Sequence, residues 1–224
     1  MRPELKAVVR AGSLRRTPGH DSFSHEGTVG TWTVMAGVIG IGPSSARRAT
    51  ERMLERESFH HVMLVGIAGG LDPGLHVGAL MVPRQVRLYP DGPLLHSHPL
   101  PPRRAAGNLM TTDGLLSAEE IWHSILESGF GAVDMEAAGV AEACARAGID
   151  WSVYRGISDR PEENVVDQDV FALSKPDGSA DLRAVARYLL TDPRRARTLA
   201  HLNRSMGRAA HVAAAAAFAD LSRS

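Results

Sequence analysis

A single cysteine, Cys144, stands among 224 residues, so the chain can form no internal disulfide and no thiolate metal cage. With Ala141 and Ala143 beside it, Cys144 reads as a small buried hydrophobe rather than a nucleophile. Net charge is also lacking: 25 Lys and Arg balance 25 Asp and Glu, and no global field favours nucleic acid or an anionic membrane surface. The arginine clusters Arg103–Arg104 and Arg194, Arg195, Arg197 are explained as solvated helix or loop faces. No apolar run approaches the roughly 20 residues that span a bilayer. The first residues do not follow the charged-then-apolar pattern of a signal peptide. These absences point to a soluble, cytoplasmic chain with no nucleic-acid partner, no membrane span and a length suited to one domain.

What is present alternates. Strand-like segments rich in β-branched residues occur at Thr31–Val38, His61–Val65, Ala79–Arg87, Gly131–Asp134 and Trp151–Tyr154. Helical spacing links Ala46, Ala49 and Met53 after Pro43–Ser44–Ser45, where a serine can cap the helix start. Ala137, Val140, Ala141 and Cys144 form a second stripe; Leu182, Val185, Ala186 and Leu189 form a third after Asp181. Strands alternating with helices predict a layered α/β domain over residues 1–224, with a C-terminal helical extension at about 180–220. Gly12–Gly27, Pro90–Gly107 and Arg160–Ser179 read as loops. His96 and His98 have no carboxylate or cysteine beside them in sequence and read as surface histidines, and no metal site is expected.

Chemistry-bearing residues gather where apolar strands give way to polar turns, the edge at which open α/β sheets bind ligands. Residues 134–136 read Asp-Met-Glu and residues 155–159 read Arg-Gly-Ile-Ser-Asp. Asp159 follows an apolar strand, so its carboxyl emerges at a partly dry strand end that favours the protonated acid. Glu136 opens the helix at Ala137, where backbone N–H groups and the helix dipole would hold it ionised. Val62–Leu71 adds a third strand with a glycine turn at Gly66–Leu71, and Gly40–Ile41–Gly42 forms another.

Together, Gly66–Leu71, Val133–Ala137 and Arg155–Asp159 resemble the nucleoside phosphorylase and nucleosidase superfamily, most closely its adenine-nucleoside branch. The resemblance implies a three-layer α/β fold with a central mixed sheet. It implies that Asp159 protonates N7 of adenine while Ser158 supports the purine. Glu136 would accept the ribose hydroxyls, with Met135 packed on the sugar and Ala68 and Gly69 letting the purine approach the backbone. Arg155 joins the substrate-binding group. Leu115 stands where hydrolytic members often stack a phenylalanine, and Val77–Gly78–Ala79 lacks their usual aspartate. Glu4 resembles the acid that positions the attacking water, although family members carry a first strand before it and only Met1–Pro3 precede it here. The C-terminal part resembles hopanoid-associated members.

The implied activity is cleavage of the N-ribosidic bond of a 5′-modified adenine nucleoside, of the methylthioadenosine/S-adenosylhomocysteine or adenosylhopane type. Water is the implied nucleophile; no cofactor is needed, and a homo-oligomer is expected. A phosphate-using phosphorylase and a catalytically silent adenosine-binding or scaffolding protein remain as alternatives.

Overall fold

The computed structural model describes residues 2–18, 23–116, 119–160 and 195–224, with isolated positions at 173, 181, 184 and 188. The first element is α1 (Arg2–Ala11), with Glu4 in its first turn and Arg10 in its last, the order that the helix dipole favours. Three short strands follow: β1 (Arg15–Arg16), β2 (His25–Val29) and β3 (Trp32–Ala36). They form a small antiparallel sheet in the order β1-β2-β3. The segment Gly12–Gly27 is therefore not simply a loop. The polar side chains of β1 and β2 sit on a small, half-exposed sheet, where hydrophobic alternation is too weak to announce strands.

The helix α2 (Pro43–Arg56) begins with proline at its first position and has Gly42, at φ 90°, as its N-cap. No side chain caps it, so Ser44 and Ser45 lie inside the helix rather than closing its end. Next come β4 (His61–Gly70), β5 (Leu80–Met81), β6 (Gln85–Leu88), β7 (Leu95–His96) and β8 (Asn108–Thr111). The expected strand Ala79–Arg87 is thus two. Pro83, which has no N–H to give a ladder, lies between them. β5 pairs with the strand at 150–159, whereas β6 pairs with β8 on the far side of the sheet. β7 falls within the expected loop Pro90–Gly107.

The remaining elements are α3 (Glu119–Glu127), β9 (Ala132–Asp134), α4 (Ala137–Ala147), β10 (Asp150–Asp159) and α5 (Arg195–Leu221). Gly148 ends α4 in the left-handed conformation at φ 66°, where its N–H reaches the carbonyls of Ala145 and Cys144. The central sheet has seven strands in the order β5-β10-β4-β9-β8-β6-β7 and mixes parallel and antiparallel neighbours. The expected loop Arg160–Ser179, its Pro176–Gly178 turn and the helix Leu182–Leu189 fall almost wholly outside the described residues.

Strand periodicity sorts the layers. On β4 and β10, Leu64, Ala68, Val153 and Ile157 join α2 and α4 in one core, while Met63, Val65 and Tyr154 turn to α1 and α5 on the opposite face. The result is helix, sheet, helix. Cys144 is buried in the first core, which pushes its thiol up to about 12 and leaves it inert. On the other face α5 presents Ala209, Ala210, Ala213, Ala214 and Ala217, all at most 1% exposed. At their far end the buried Asp220 accepts hydrogen bonds from Arg103 at 2.7 Å and Tyr154 at 2.9 Å.

Small residues set how closely the layers meet. A Cβ at Gly156 would stand 2.0 Å from the Ala209 carbonyl oxygen, whereas one at Gly207, also on α5, would meet nothing within 4 Å. Gly156→Ala is therefore expected to lose about 1–3 kcal/mol through forced separation of α5 from β10. Gly207→Ala should gain up to about 1 kcal/mol from helix propensity. Thermal denaturation of the two variants checks the pair, which must move in opposite directions.

Candidate active site

Parallel pairing of β4 and β10 sets Arg155 beside Gly66 and Asp159 beside Gly69, with a register shift between Ile157 and Asp159. The segment Gly66–Gly70 is strand, not turn, and glycine serves here to make room. A Cβ on Gly66 would lie 2.2 Å from Arg155 Nη1 and 2.4 Å from Glu4 Oε1. Glycine at 66 thus lets an arginine and a glutamate meet over the strand.

Arg155, 1% exposed, is the hub. Its Nε and Nη2 donate to Asp134 Oδ2, and Nη2 also donates to Glu136 Oε2 at 3.0 Å. Nη1 stands 3.9 Å from Glu4 Oε1, which accepts the Ile67 N–H at 3.0 Å. Burial works against the guanidinium charge, but Asp134, Glu136 and Glu4 outweigh it and hold Arg155 more firmly protonated than usual. Arg155 therefore holds carboxylates through its Nε and Nη2 donors, with Nη1 facing Glu4 at ion-pair distance.

Asp134 is the member that sequence reasoning passed over. Its Oδ1 accepts the Thr111 hydroxyl at 2.7 Å, and its Oδ2 accepts the Ala137 N–H at 3.0 Å. Thr111 Oγ1 in turn accepts the Ala138 N–H at 2.9 Å. The first turn of α4 is thus served by Asp134 and Thr111. This corrects the expectation for Glu136: it is the N-cap residue by position, yet its side chain makes no cap hydrogen bond. Its carboxylate leans on Arg155 instead. The available signal was an aspartate closing an otherwise apolar strand, opposite an arginine that also lies in a buried strand.

Burial pushes the Glu136 carboxyl up to about 7; Arg155 opposes that rise, while Asp134 and Glu4 add to it. One guanidinium faces three carboxylates, so it offsets the burial of Glu136 only in part. Glu136 keeps 18% of its side chain exposed, enough to meet a ligand.

The second cluster lies at the end of β10. Ser158, 3% exposed, donates to Ala68 O at 3.3 Å and also bonds Asp159 Oδ1. A Cβ on Gly69 would come 3.7 Å from Asp159 Oδ2. Gly69 is three residue steps beyond Gly66, so the two clusters stand about 10 Å apart along β4. Met135 is half-buried at the bend between β9 and α4. Leu115 is half-buried in the loop after β8, where Thr112 Oγ1 donates to Gly114 O at 2.7 Å. That loop approaches the Gly40–Gly42 turn, since a Cβ on Gly42 would lie 3.5 Å from Asp113 Oδ1.

A cavity of about 250 Å³ opens beside Glu4, Glu136 and Arg155. Its apolar wall includes Leu5, Val8, Trp32 and Phe218. Leu94, Leu95, Leu199 and Leu202 are not part of it. His98 is exposed and lies 3.5 Å from Asp150, a carboxylate that folding brings from β10. Among the described residues no cluster of three or more His, Cys, Asp or Glu is arranged to hold a metal ion.

Residues 1–102 match the family described as the phosphorylase superfamily. The chain is 26% identical over 169 residues to a 5′-methylthioadenosine/S-adenosylhomocysteine nucleosidase of Exiguobacterium, covering 62% of this chain and 72% of the relative. It is 24% identical over 196 residues to the nucleosidase of the same name from Colwellia psychrerythraea, covering 71% and 80%. The likeness to the phosphorylase superfamily thus lies in the first 102 residues, and the likeness to the two nucleosidases spans most of the chain.

Solved structures agree on the fold. The nucleosidase of that name from Streptococcus pneumoniae, bound to a transition-state inhibitor, superposes with a TM-score of 0.72 at 16% identity, covering 99% of this chain and 95% of its own. The Colwellia psychrerythraea enzyme in complex with adenine gives 0.71 at 21% identity, with 99% and 91% covered. Futalosine hydrolase of Helicobacter pylori gives 0.70 at 14% identity, with 99% and 93% covered.

The site generates a pH prediction. Raised from its ordinary 4.5 to about 7, Glu136 retains in the folded state a proton that the unfolded chain has lost. Its contribution therefore declines as pH rises between those values, because the unfolded state then binds fewer protons than the folded one. Carbon-13 NMR of the Glu136 carboxyl should show a midpoint near 7, and Glu4→Gln should lower it by removing a neighbouring negative charge. An unchanged midpoint in that variant would separate Glu4 from the cluster.

Proposed function

We propose that the chain cleaves the N-ribosidic bond of an adenine nucleoside carrying a modified 5′ position. The observation that carries the reading is the pair of carboxylate clusters on adjacent parallel strands, Glu4–Arg155–Glu136 and Ser158–Asp159, with a glycine at each crossing. Their separation of about 10 Å leaves room for a ribose at one end and a purine at the other. The two curated relatives favour a nucleoside with a thioether at C5′.

In the proposed reaction Asp159, protonated, donates to the leaving purine as the glycosidic bond lengthens, so the base departs neutral. Ser158 steers that carboxyl through its hydroxyl. Glu136 accepts hydrogen bonds from the vicinal ribose hydroxyls, contacts that strengthen as the sugar gains oxocarbenium character. Met135 packs against the sugar; Ala68, Gly69 and Leu115 border the base. Glu4, held by the Ile67 N–H, orients and deprotonates the attacking water. Arg155 holds Glu4 and Glu136 at one spacing, which makes it a positioning residue.

Asp159→Asn should lower turnover by roughly 100-fold or more while adenine still binds. Steady-state rates together with adenine titration check this, and near-normal turnover removes Asp159 from the acid role. Glu136→Gln should harm ribosides more than their 2′-deoxy counterparts, which lack one of the two hydroxyl donors. Equal losses on both would leave Glu136 a purely structural partner of Arg155. Product analysis in phosphate-free buffer should yield free sugar at an undiminished rate; a sugar 1-phosphate formed only with phosphate would replace hydrolysis by phosphorolysis. The 5′ substituent is read from kcat/KM across adenosine, methylthioadenosine and a long 5′-alkyl analogue, with methylthioadenosine expected to exceed adenosine. A further rise with the alkyl analogue would move the assignment to the adenosylhopane type.

A further inference from the structure

Hydrogen bonds reach the Glu136 carboxylate at Oε2 alone, from Arg155 Nη2 at 3.0 Å; among the described residues Oε1 accepts none. Glu136 also borders the cavity, so the open oxygen can meet a ligand. An arginine beside a glutamate frequently closes on it as a fork, two parallel N–H groups on two oxygens. Arg155 does not, and its other edge explains why. Asp134 Oδ2 takes both the Nε and the Nη2 donors there, which fixes the rigid plane of the guanidinium and leaves one Nη2 hydrogen for Glu136. Nη1 faces Glu4 Oε1 instead, at 3.9 Å.

Asp134 is itself held from two sides. The Ala137 N–H donates to Oδ2 at 3.0 Å. Thr111 Oγ1 accepts the Ala138 N–H at 2.9 Å, so its own hydrogen is left for Asp134 Oδ1 at 2.7 Å. Thr111 and Asp134 are both buried, and water has little access to compete for these bonds.

We infer that Asp134, oriented by Thr111, is a positioning residue for ribose recognition: it holds Arg155 side-on and keeps the guanidinium from chelating Glu136, leaving Glu136 Oε1 open to the vicinal hydroxyls of the substrate. The inference rests on the nucleosidase reading and adds two residues to it. A chelated Glu136 would have both oxygens engaged, and each ribose hydroxyl would compete with an N–H of Arg155. With Asp134 in place, one oxygen is open and the other carries a single hydrogen bond, which is acceptor capacity for two hydroxyl donors. Asp134 acts through Arg155 rather than on the substrate.

Asparagine caps a helix about as well as aspartate, so Asp134→Asn keeps an acceptor for the Ala137 N–H while its charge on Arg155 is lost. The whole chain and this variant are compared on methylthioadenosine and its 2′-deoxy counterpart. The riboside preference, read as the ratio of kcat/KM values, should fall by about tenfold or more, chiefly through a higher KM for the riboside. Thr111→Val should shift the ratio the same way, and Thr111→Ser, which keeps the hydroxyl, should restore it; this pair carries the test if Asp134→Asn does not fold. Equal losses on the two substrates mark a merely structural role and overturn the inference. So does a Thr111→Ser variant no better than Thr111→Val.

A second readout needs no turnover. The charged groups facing Glu136 are Arg155 of β10, Asp134 of β9 and Glu4 of α1. In Asp134→Asn one negative neighbour is gone and Arg155 is free to close on Glu136, so the carbon-13 midpoint of the Glu136 carboxyl should fall from about 7. A midpoint that stays or rises overturns the inference. If the unmodified chain cleaves no nucleoside while the midpoint still falls, the nucleosidase reading fails and the restraint of Arg155 by Asp134 is upheld.

Discussion

The buried guanidinium of Arg155 is the point on which the rest of the site depends. A charge this deep is tolerated only when paired and hydrogen-bonded, and here three elements supply the pairing: α1 through Glu4, β9 through Asp134, and the bend before α4 through Glu136. Removing the guanidinium would leave carboxylates crowded together in a poorly solvated space. The arrangement therefore constrains the backbone as much as the chemistry. Gly66 must lack a side chain, Asp134 must close its strand, and α4 must begin where its first N–H can reach Asp134.

That constraint explains how a buried acid can be set near neutrality without a dedicated device. Asp134 is saturated by Thr111, Ala137 and Arg155, so it stays an acceptor. Glu136, with its capping role taken over, has only a share of one arginine. Two acids two residues apart thus occupy different electrostatic environments, and the difference comes from which of them the helix N-terminus engages.

Much of this was legible in the sequence, for physical reasons that differ by residue. The buried strand β4 is a largely apolar run with β-branched Val62, Val65 and Ile67, β10 carries Trp151, Val153, Tyr154 and Ile157, and α4 carries a clean 3.6-residue stripe, so the layered α/β order could be read directly. Asp159 and Glu136 stood out because polar groups at the ends of apolar strands need a reason, whereas Ser158 and Glu4 stood out through the family resemblance. Asp134 did not, because its partners Thr111 and Arg155 are 23 and 21 residues away and only the sheet brings them together. The glycines of Gly66–Gly70 read as a turn because glycine is usually punctuation; here it is clearance for side chains from other strands. The short strands β1, β2 and β7 carry too few apolar residues to show a period, and Pro83 hid the division of one expected strand into two.

The buried triad of Arg103, Tyr154 and Asp220 has a consequence for the order in which the molecule assembles. Asp220 closes contacts across 117 residues to Arg103 and 66 to Tyr154. In chain order α5 follows every described strand of the sheet, so during synthesis it emerges after them. Until residue 220 is available, the face of β10 that will lie under α5 presents a tyrosine and a glycine groove to solvent. During synthesis, the sheet thus has one finished face and one sticky one, and the polar lock at the far end of α5 is the step that ends its exposure.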